Sequence, residues 1–260
     1  MSSGDGNGGL WAMNTRTILA AGRRWRTAAM MGLLAVITLS LSGCLYPEDE
    51  KQSAPPKEAV RNVQAAIDQY FDEQGLLPIV TSSQDVPVYE KYKIDYKKLQ
   101  AKGYLSYIPS AAFENGGNYY FIIIDEETDP TVKLMDIATF QKLIDVQSWV
   151  KQYRDSRSAL PKKDEMYPGF YTIDYESMGK KAPDIRSMFS GVGLHAILDD
   201  KGNIYVDYGI DLMQYIQKNG ESAASEVADL RELLVRGSDF VPVKSPAYKL
   251  VGGEPVAVLP

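Results

Sequence analysis

Cys44 and His195 are the only cysteine and the only histidine in the chain. With one of each, a Cys/His zinc site within the chain and a disulfide are both excluded. Any Ser–His or Cys–His catalytic pair would have to use His195. That residue sits in the apolar, strand-like run Leu194–Leu198 and reads as a structural residue. No Gly-x-Ser-x-Gly elbow occurs, and Ser190-Gly191-Val192-Gly193 reads as a loop. Two acidic turns are the remaining candidates for chemistry. Asp125, Glu126, Glu127 and Asp129 lie in one, and Asp199, Asp200 and Asn203 in the other. Calcium takes several oxygen ligands at about 2.3–2.6 Å, and carboxylate-rich hairpins supply them. Asp125, Glu127, Asp129, Asp199 and Asp200 are therefore candidate Ca²⁺ ligands, although no EF-hand spacing is present. The same residues also read as solvated hairpin tips. No other cofactor is expected, and no enzyme.

Cys44 is placed for a different reaction. Arg16, Arg23, Arg24 and Arg26 precede an uncharged apolar run from Ala28 to Leu41. That run is short for a bilayer core of about 30 Å; a basic segment followed by a short apolar one is the pattern of an export signal. Leu41-Ser42-Gly43-Cys44 follows at once. Small residues before the thiol let a peptidase approach the backbone, and the thiol is the nucleophile for alkylation. The stretch resembles the bacterial lipoprotein signal, with its lipobox at Leu41, Ser42, Gly43 and Cys44. The resemblance implies diacylglyceryl attachment to Cys44 and removal of residues 1–43 as a signal peptide, with Met13 an alternative start. It also implies a lipid-anchored protein at the extracytoplasmic face of the cell membrane.

The mature chain would carry 24 basic and 33 acidic residues. Such an acidic body lacks the basic surface that replaces phosphate counterions, so no nucleic-acid partner is expected. Residues 44–57, with three prolines and no apolar periodicity, read as the lipidated cysteine and a flexible spacer.

The body contains an internal repeat. Val63–Pro78 (VQAAIDQYFDEQGLLP) matches Val146–Pro161 (VQSWVKQYRDSRSALP), with Gln64/Gln147, Tyr70/Tyr153 and Pro78/Pro161 among the identities. Ile94-Asp95-Tyr96 matches Ile173-Asp174-Tyr175, and Phe121–Ile137 matches His195–Leu212, pairing Phe121 with His195, Asp125 with Asp199 and Asp136 with Asp211. Each unit opens with a helix. Val60, Val63, Ile67, Tyr70 and Phe71 form one helical face ended by Gly75; Phe140, Leu143, Val146, Val150 and Tyr153 form the other, after a cap at Thr139. Asp95 and Asp174 are placed as caps of a short second helix. Strands are expected over Tyr119–Ile124 and Thr131–Met135, and over Leu194–Leu198 and Ile204–Tyr208 as a hairpin. A last helix is expected over Ala223–Arg236, capped by Ser222 and stopped by Gly237, with irregular or edge-strand structure after it.

The expected class is α+β. Residues 58–138 and 139–220 form two tandem units of helix plus small antiparallel sheet, and 221–260 a C-terminal helix and irregular tail. Tyr70…Gly75-Leu76-Leu77-Pro78, Gly103-Tyr104-Leu105 and Gly116-Gly117-Asn118-Tyr119 in unit one resemble the globular heads of type II secretion pseudopilins. That resemblance implies a fold, since a lipobox and spacer stand where a prepilin signal belongs. The layout is also similar to uncharacterised surface lipoproteins of Gram-positive bacilli. The function expected is a non-enzymatic binding or protein-interaction module with a protein or cell-wall partner. The alternatives are a solute-binding lipoprotein of an ABC transporter, with two parallel-sheet lobes, or a carboxylate-based cell-wall hydrolase.

Overall fold

The computed structural model describes residues 57–260; Leu41, Ser42, Gly43, Cys44 and the spacer up to residue 56 lie outside them, while Lys57, expected in the spacer, already begins a helix. Helix α1 (Lys57–Gln74) buries Val60, Val63, Ala66, Ile67 and Tyr70, as the apolar spacing predicts, whereas Phe71, expected on the same face, is exposed. Gly75, with φ +66°, ends it by donating its N–H to the Phe71 carbonyl (2.8 Å). Short helices α2 (Val88–Lys91) and α3 (Tyr96–Ala101) follow, the second capped by Asp95, which accepts from Lys98 N at 3.2 Å. Strands β1 (Tyr119–Ile124) and β2 (Thr131–Asp136) then form an antiparallel hairpin.

Unit two repeats the order. Helix α4 (Ile137–Arg157) buries Leu143, Val146 and Val150. Its cap is Asp136, whose carboxylate accepts from Thr139 N at 2.8 Å, so Thr139 lies inside the first turn and is not the cap. Strands β3 (Lys162–Tyr167), β4 (Phe170–Ile173), β7 (Ala196–Asp199) and β8 (Ile204–Val206) form a four-stranded antiparallel sheet in the order β3-β4-β7-β8. The pair β5 (Ile185–Arg186) and β6 (Gly193–Leu194) closes the loop between β4 and β7.

The two units share backbone pairings as well as sequence. Ile79 bridges Ile94 as Lys162 pairs with Ile173; Lys93 bridges Ile122 as Thr172 pairs with Ile197. Asp95 N donates to Pro78 O (2.7 Å) and Asp174 N to Pro161 O (2.8 Å). The glutamine common to the two opening helices clamps each unit's hairpin. Gln64 donates to Pro130 O (2.9 Å) and accepts from Val132 N (2.7 Å). Gln147 donates to Gly202 O (2.8 Å) and accepts from Ile204 N (3.1 Å). Each amide satisfies one donor and one acceptor at the half-buried start of a strand. Gln64→Ala and Gln147→Ala are each expected to cost about 1–3 kcal/mol, with similar values for the two, measured by chemical denaturation.

These pairings correct the sequence alignment at three places. Ile122 matches Ile197, so Phe121 corresponds to Ala196 and not to His195; the same shift sets Asp125 against Asp200. A one-residue slip in a strand exchanges its faces, and His195 is exposed between β6 and β7. On the return strand the clamps match Val132 with Ile204, which puts Tyr208, not Asp211, in the position of Asp136. Asp174 does accept from Ser177 N (3.1 Å), but it opens a turn and not a helix.

After β8 comes helix α5 (Gly209–Asn219), unread in the sequence although Leu212, Tyr215 and Ile216 have helical spacing. The helix expected over Ala223–Arg236 is two short ones, α6 (Glu221–Ser225) and α7 (Arg231–Arg236). The break has two causes: Leu230 N donates to Tyr248 O (2.9 Å) in the tail, and Asp229 turns its carboxylate onto the Arg231 N–H and guanidinium (3.0 and 2.6 Å). The two apolar bursts of the tail pair as a hairpin, β9 (Ala247–Val251) with β10 (Glu254–Val258). Between α7 and β9 the chain runs along both units. Leu134 N donates to Asp239 O (2.8 Å), Val241 N to Leu134 O (3.0 Å), and Val206 N to Lys244 O (2.8 Å). One segment thus covers the free edges of β2 and β8, and the described residues form a single compact unit. Among the described residues no helix is long and apolar enough to cross a membrane.

Candidate functional site

The acidic turns do not converge on a cation. Asp199 is 1 % exposed and its oxygens are spent on its own hairpin. Oδ1 accepts from Lys201 N (2.9 Å) and Asn203 N (2.8 Å), and Oδ2 from Asn203 Nδ2 (2.8 Å) and Tyr205 OH (3.3 Å). Asp200 pairs with Lys162, which holds its carboxyl below the usual range. Asp125 takes a left-handed backbone (φ +51°) and turns its carbonyl to Thr128 N and Asp129 N, while Asp125, Glu127 and Asp129 are exposed. Among the described residues no group of three or more Asp, Glu, His or Cys is placed to hold a metal ion. The five candidates Asp125, Glu127, Asp129, Asp199 and Asp200 are thus not gathered into one site: Asp199 spends both carboxylate oxygens on its own turn, Asp200 pairs with Lys162, and Asp125, Glu127 and Asp129 stay exposed on a separate hairpin.

The structure builds a site elsewhere. A cleft of about 560 Å³ opens between α5, the end of α7 and the loop joining β5 to β6. Asp211, Gln214, Tyr215 and Lys218 face it from α5, Ser190 from the loop, and Leu234 and Ser238 from the far wall. The position of α5 is set at its start. Gly209 N donates to Asp207 Oδ1 (2.9 Å), and a Cβ on Gly209 would lie 2.5 Å from the Tyr167 hydroxyl, so any side chain there would have to displace Tyr167. Asp211 then falls in the first turn of α5, where the helix dipole favours a carboxylate.

Asp211 is 3 % exposed. Its Oδ1 accepts from Ser187 Oγ (2.8 Å) and from the Ser190 hydroxyl. Ser187 in turn accepts from Phe189 N (3.0 Å) and Ser190 N (3.1 Å), which locks the turn. Oδ2 has no hydrogen-bond partner. Burial pushes the Asp211 carboxyl above its ordinary range, against the two serine hydroxyls that pull it down, and the Asp207 charge adds to the rise. A buried carboxylate oxygen without a donor is costly, about 1–3 kcal/mol or more for a charged group, and calls for a reason.

Ser190 and Asp211 resemble two thirds of a hydrolytic triad, yet the third part is elsewhere. His195 lines a separate cleft with Asp164, Thr172 and Tyr175. Asp211 is the only acid lining its own cleft, so the facing pair of carboxylates that glycoside hydrolysis needs is missing there. The sequence signal for this site was an acid within an apolar helical stretch, Asp211 beside Leu212 and Ile216. It was obscured by the alignment that made Asp211 a counterpart of Asp136.

Buried phenols surround the same body. Tyr89, Tyr175 and Tyr205 are each pushed up to about 12 by burial, and Tyr208 and Tyr248 well above their ordinary value by the same cause. The folded state therefore keeps protons that the unfolded chain releases above about pH 10. Stability from these groups is complete below that pH and lost as pH climbs through it toward the folded values. The melting temperature should fall steeply there, with the absorbance of these buried phenolates appearing only on unfolding; complete ionisation of the tyrosines in a still-folded protein would contradict this.

No curated protein and no solved structure matches the chain. The family comparison covers the stretch from just before α1 to the last residue of β2, outside the cleft: residues 56–136 carry a YphF family N-terminal domain.

Proposed function

We propose that the protein is a membrane-anchored extracytoplasmic lipoprotein, held by lipid on Cys44, whose body is a non-enzymatic binding module with the cleft over Asp211 as its receiving site. The observation that carries the reading is the unpartnered, buried Oδ2 of Asp211, a residue that lines the cleft. A ligand donor supplies what the protein leaves unsatisfied, whereas a hydrolytic serine would need a base that the cleft lacks. The reading as a solute-binding transporter subunit required parallel sheets, and every named strand pair here is antiparallel.

Anchoring is tested by mass spectrometry of the membrane fraction with and without globomycin. A diacylglyceryl-Cys44 species should be found, and Cys44→Ala should release or mis-process the protein. A cytosolic protein with a free thiol and residues 1–43 attached would sink the proposal. Binding is tested with the full-length protein in detergent against a library of polar metabolites and short peptides. At least one class should raise its melting temperature, and none doing so at millimolar concentration would remove the receiving role.

A further inference from the structure

The cleft over Asp211 also has a chemical polarity. Asp211 and Lys218 are seven residues apart on α5, two helical turns and roughly 10 Å along one wall. Both line the cleft, one acidic and buried, the other basic and exposed. Gln214 and Tyr215 lie between them with polar groups to offer. No basic side chain hydrogen-bonds to Asp211 or forms an ion pair with it among the described residues; its partners are the two serine hydroxyls. Ser190, exposed and lining the same cleft, holds Oδ1 of this carboxyl, and an exposed serine changes rotamer within nanoseconds or less. The carboxylate is thus desolvated and short of one donor at Oδ2, beside a movable hydroxyl on Oδ1.

We infer that the ligand is a zwitterion of short-peptide size, whose ammonium docks on Asp211 Oδ2 and whose carboxylate reaches Lys218. A cation is favoured over a neutral donor because the oxygen it meets is a buried negative charge, and a charge-assisted hydrogen bond is about twice as strong as a neutral one. The roughly 10 Å between the two α5 residues exceeds the charge separation in a single amino acid and suits two or three residues once the lysine side chain bends inward. The inference rests on reading the cleft as a binding site and adds the ligand class.

The test is calorimetry on the full-length protein in detergent with three probes: alanyl-alanine, its N-acetyl form and its C-terminal amide. Alanyl-alanine should bind in the millimolar range or tighter. N-acetylation should weaken binding at least about tenfold, the size of one charge-assisted bond, and amidation should weaken it less. Asp211→Asn keeps an oxygen for both serines and should lose the same factor; Lys218→Ala should abolish only the distinction between free and amidated carboxyl ends. Equal binding of the acetylated probe by the unaltered protein, or no binding of alanyl-alanine, overturns the ligand class. If compounds of another class still bind in the metabolite library, the receiving role survives and only this inference falls.

Discussion

Tyr248→Ala should destabilise the protein by about 4 kcal/mol, the usual cost of removing a large buried aromatic from a core. Tyr248 is 0 % exposed and ties four elements together. Its hydroxyl donates to Asp207 Oδ1 (2.7 Å) and accepts from Tyr208 N (3.0 Å), its ring meets Tyr167 edge-on at 6.1 Å, and its carbonyl takes the Leu230 N–H. The alanine variant opens a cavity and strands the Tyr208 N–H at the head of α5. Tyr248→Phe fills the volume and should cost about 1–3 kcal/mol, the expense of that unsatisfied donor alone, since Tyr167 still serves Asp207 (3.0 Å). Urea denaturation of both variants separates packing from hydrogen bonding. A loss below about 1 kcal/mol for the alanine variant would mean that the tail hairpin is not part of the cooperative fold.

Glu90→Ala should cost about 3 kcal/mol. Glu90 is 6 % exposed and binds Lys244 twice: Oε2 meets Nζ at 3.0 Å, and Oε1 accepts from the Lys244 backbone N–H at 3.1 Å. Breaking a buried pair leaves one charge uncompensated, at about 3–5 kcal/mol. The lower end applies because the Lys244 side chain is 24 % exposed and rests over the Phe140 ring, so its ammonium can turn to water. Glu90→Gln keeps an acceptor for the backbone N–H and should lose less. A double-mutant cycle with Lys244→Met isolates the pair; a coupling near zero would show that the N–H bond alone holds the segment. The contact matters because the Lys244 carbonyl takes the Val206 N–H, so loosening it frees the edge of β8.

The elements that read well from sequence are those whose side-chain period is strong. The α1 face from Val60 to Tyr70 emerged with its Gly75 stop, and Tyr119–Ile124 is β1 residue for residue. The repeat was visible in Gln64/Gln147 and Pro78/Pro161, and these residues perform the same backbone task in both units. Weak periods failed. Strand β3 carries Lys162, Lys163, Asp164 and Glu165 on an exposed edge, where charge blocks edge-to-edge pairing and erases the alternation that marks a strand. The His195 error came from one residue of register, which similarity over a few positions does not resolve.

Local chemistry was the sequence's to determine: the α+β class, the two opening helices, the paired units, and the scarcity of thiol and imidazole. These follow from short-range periodicity, turn residues and composition, each held within a few neighbouring positions. Tertiary structure alone decided that Asp199 spends its oxygens on its own hairpin, that Leu230 breaks the last helix for Tyr248, and that Ser187, Ser190 and Asp211 meet beneath a cleft. Those outcomes depend on which distant backbone donors reach a carboxylate or carbonyl first, and sequence spacing carries no record of that competition.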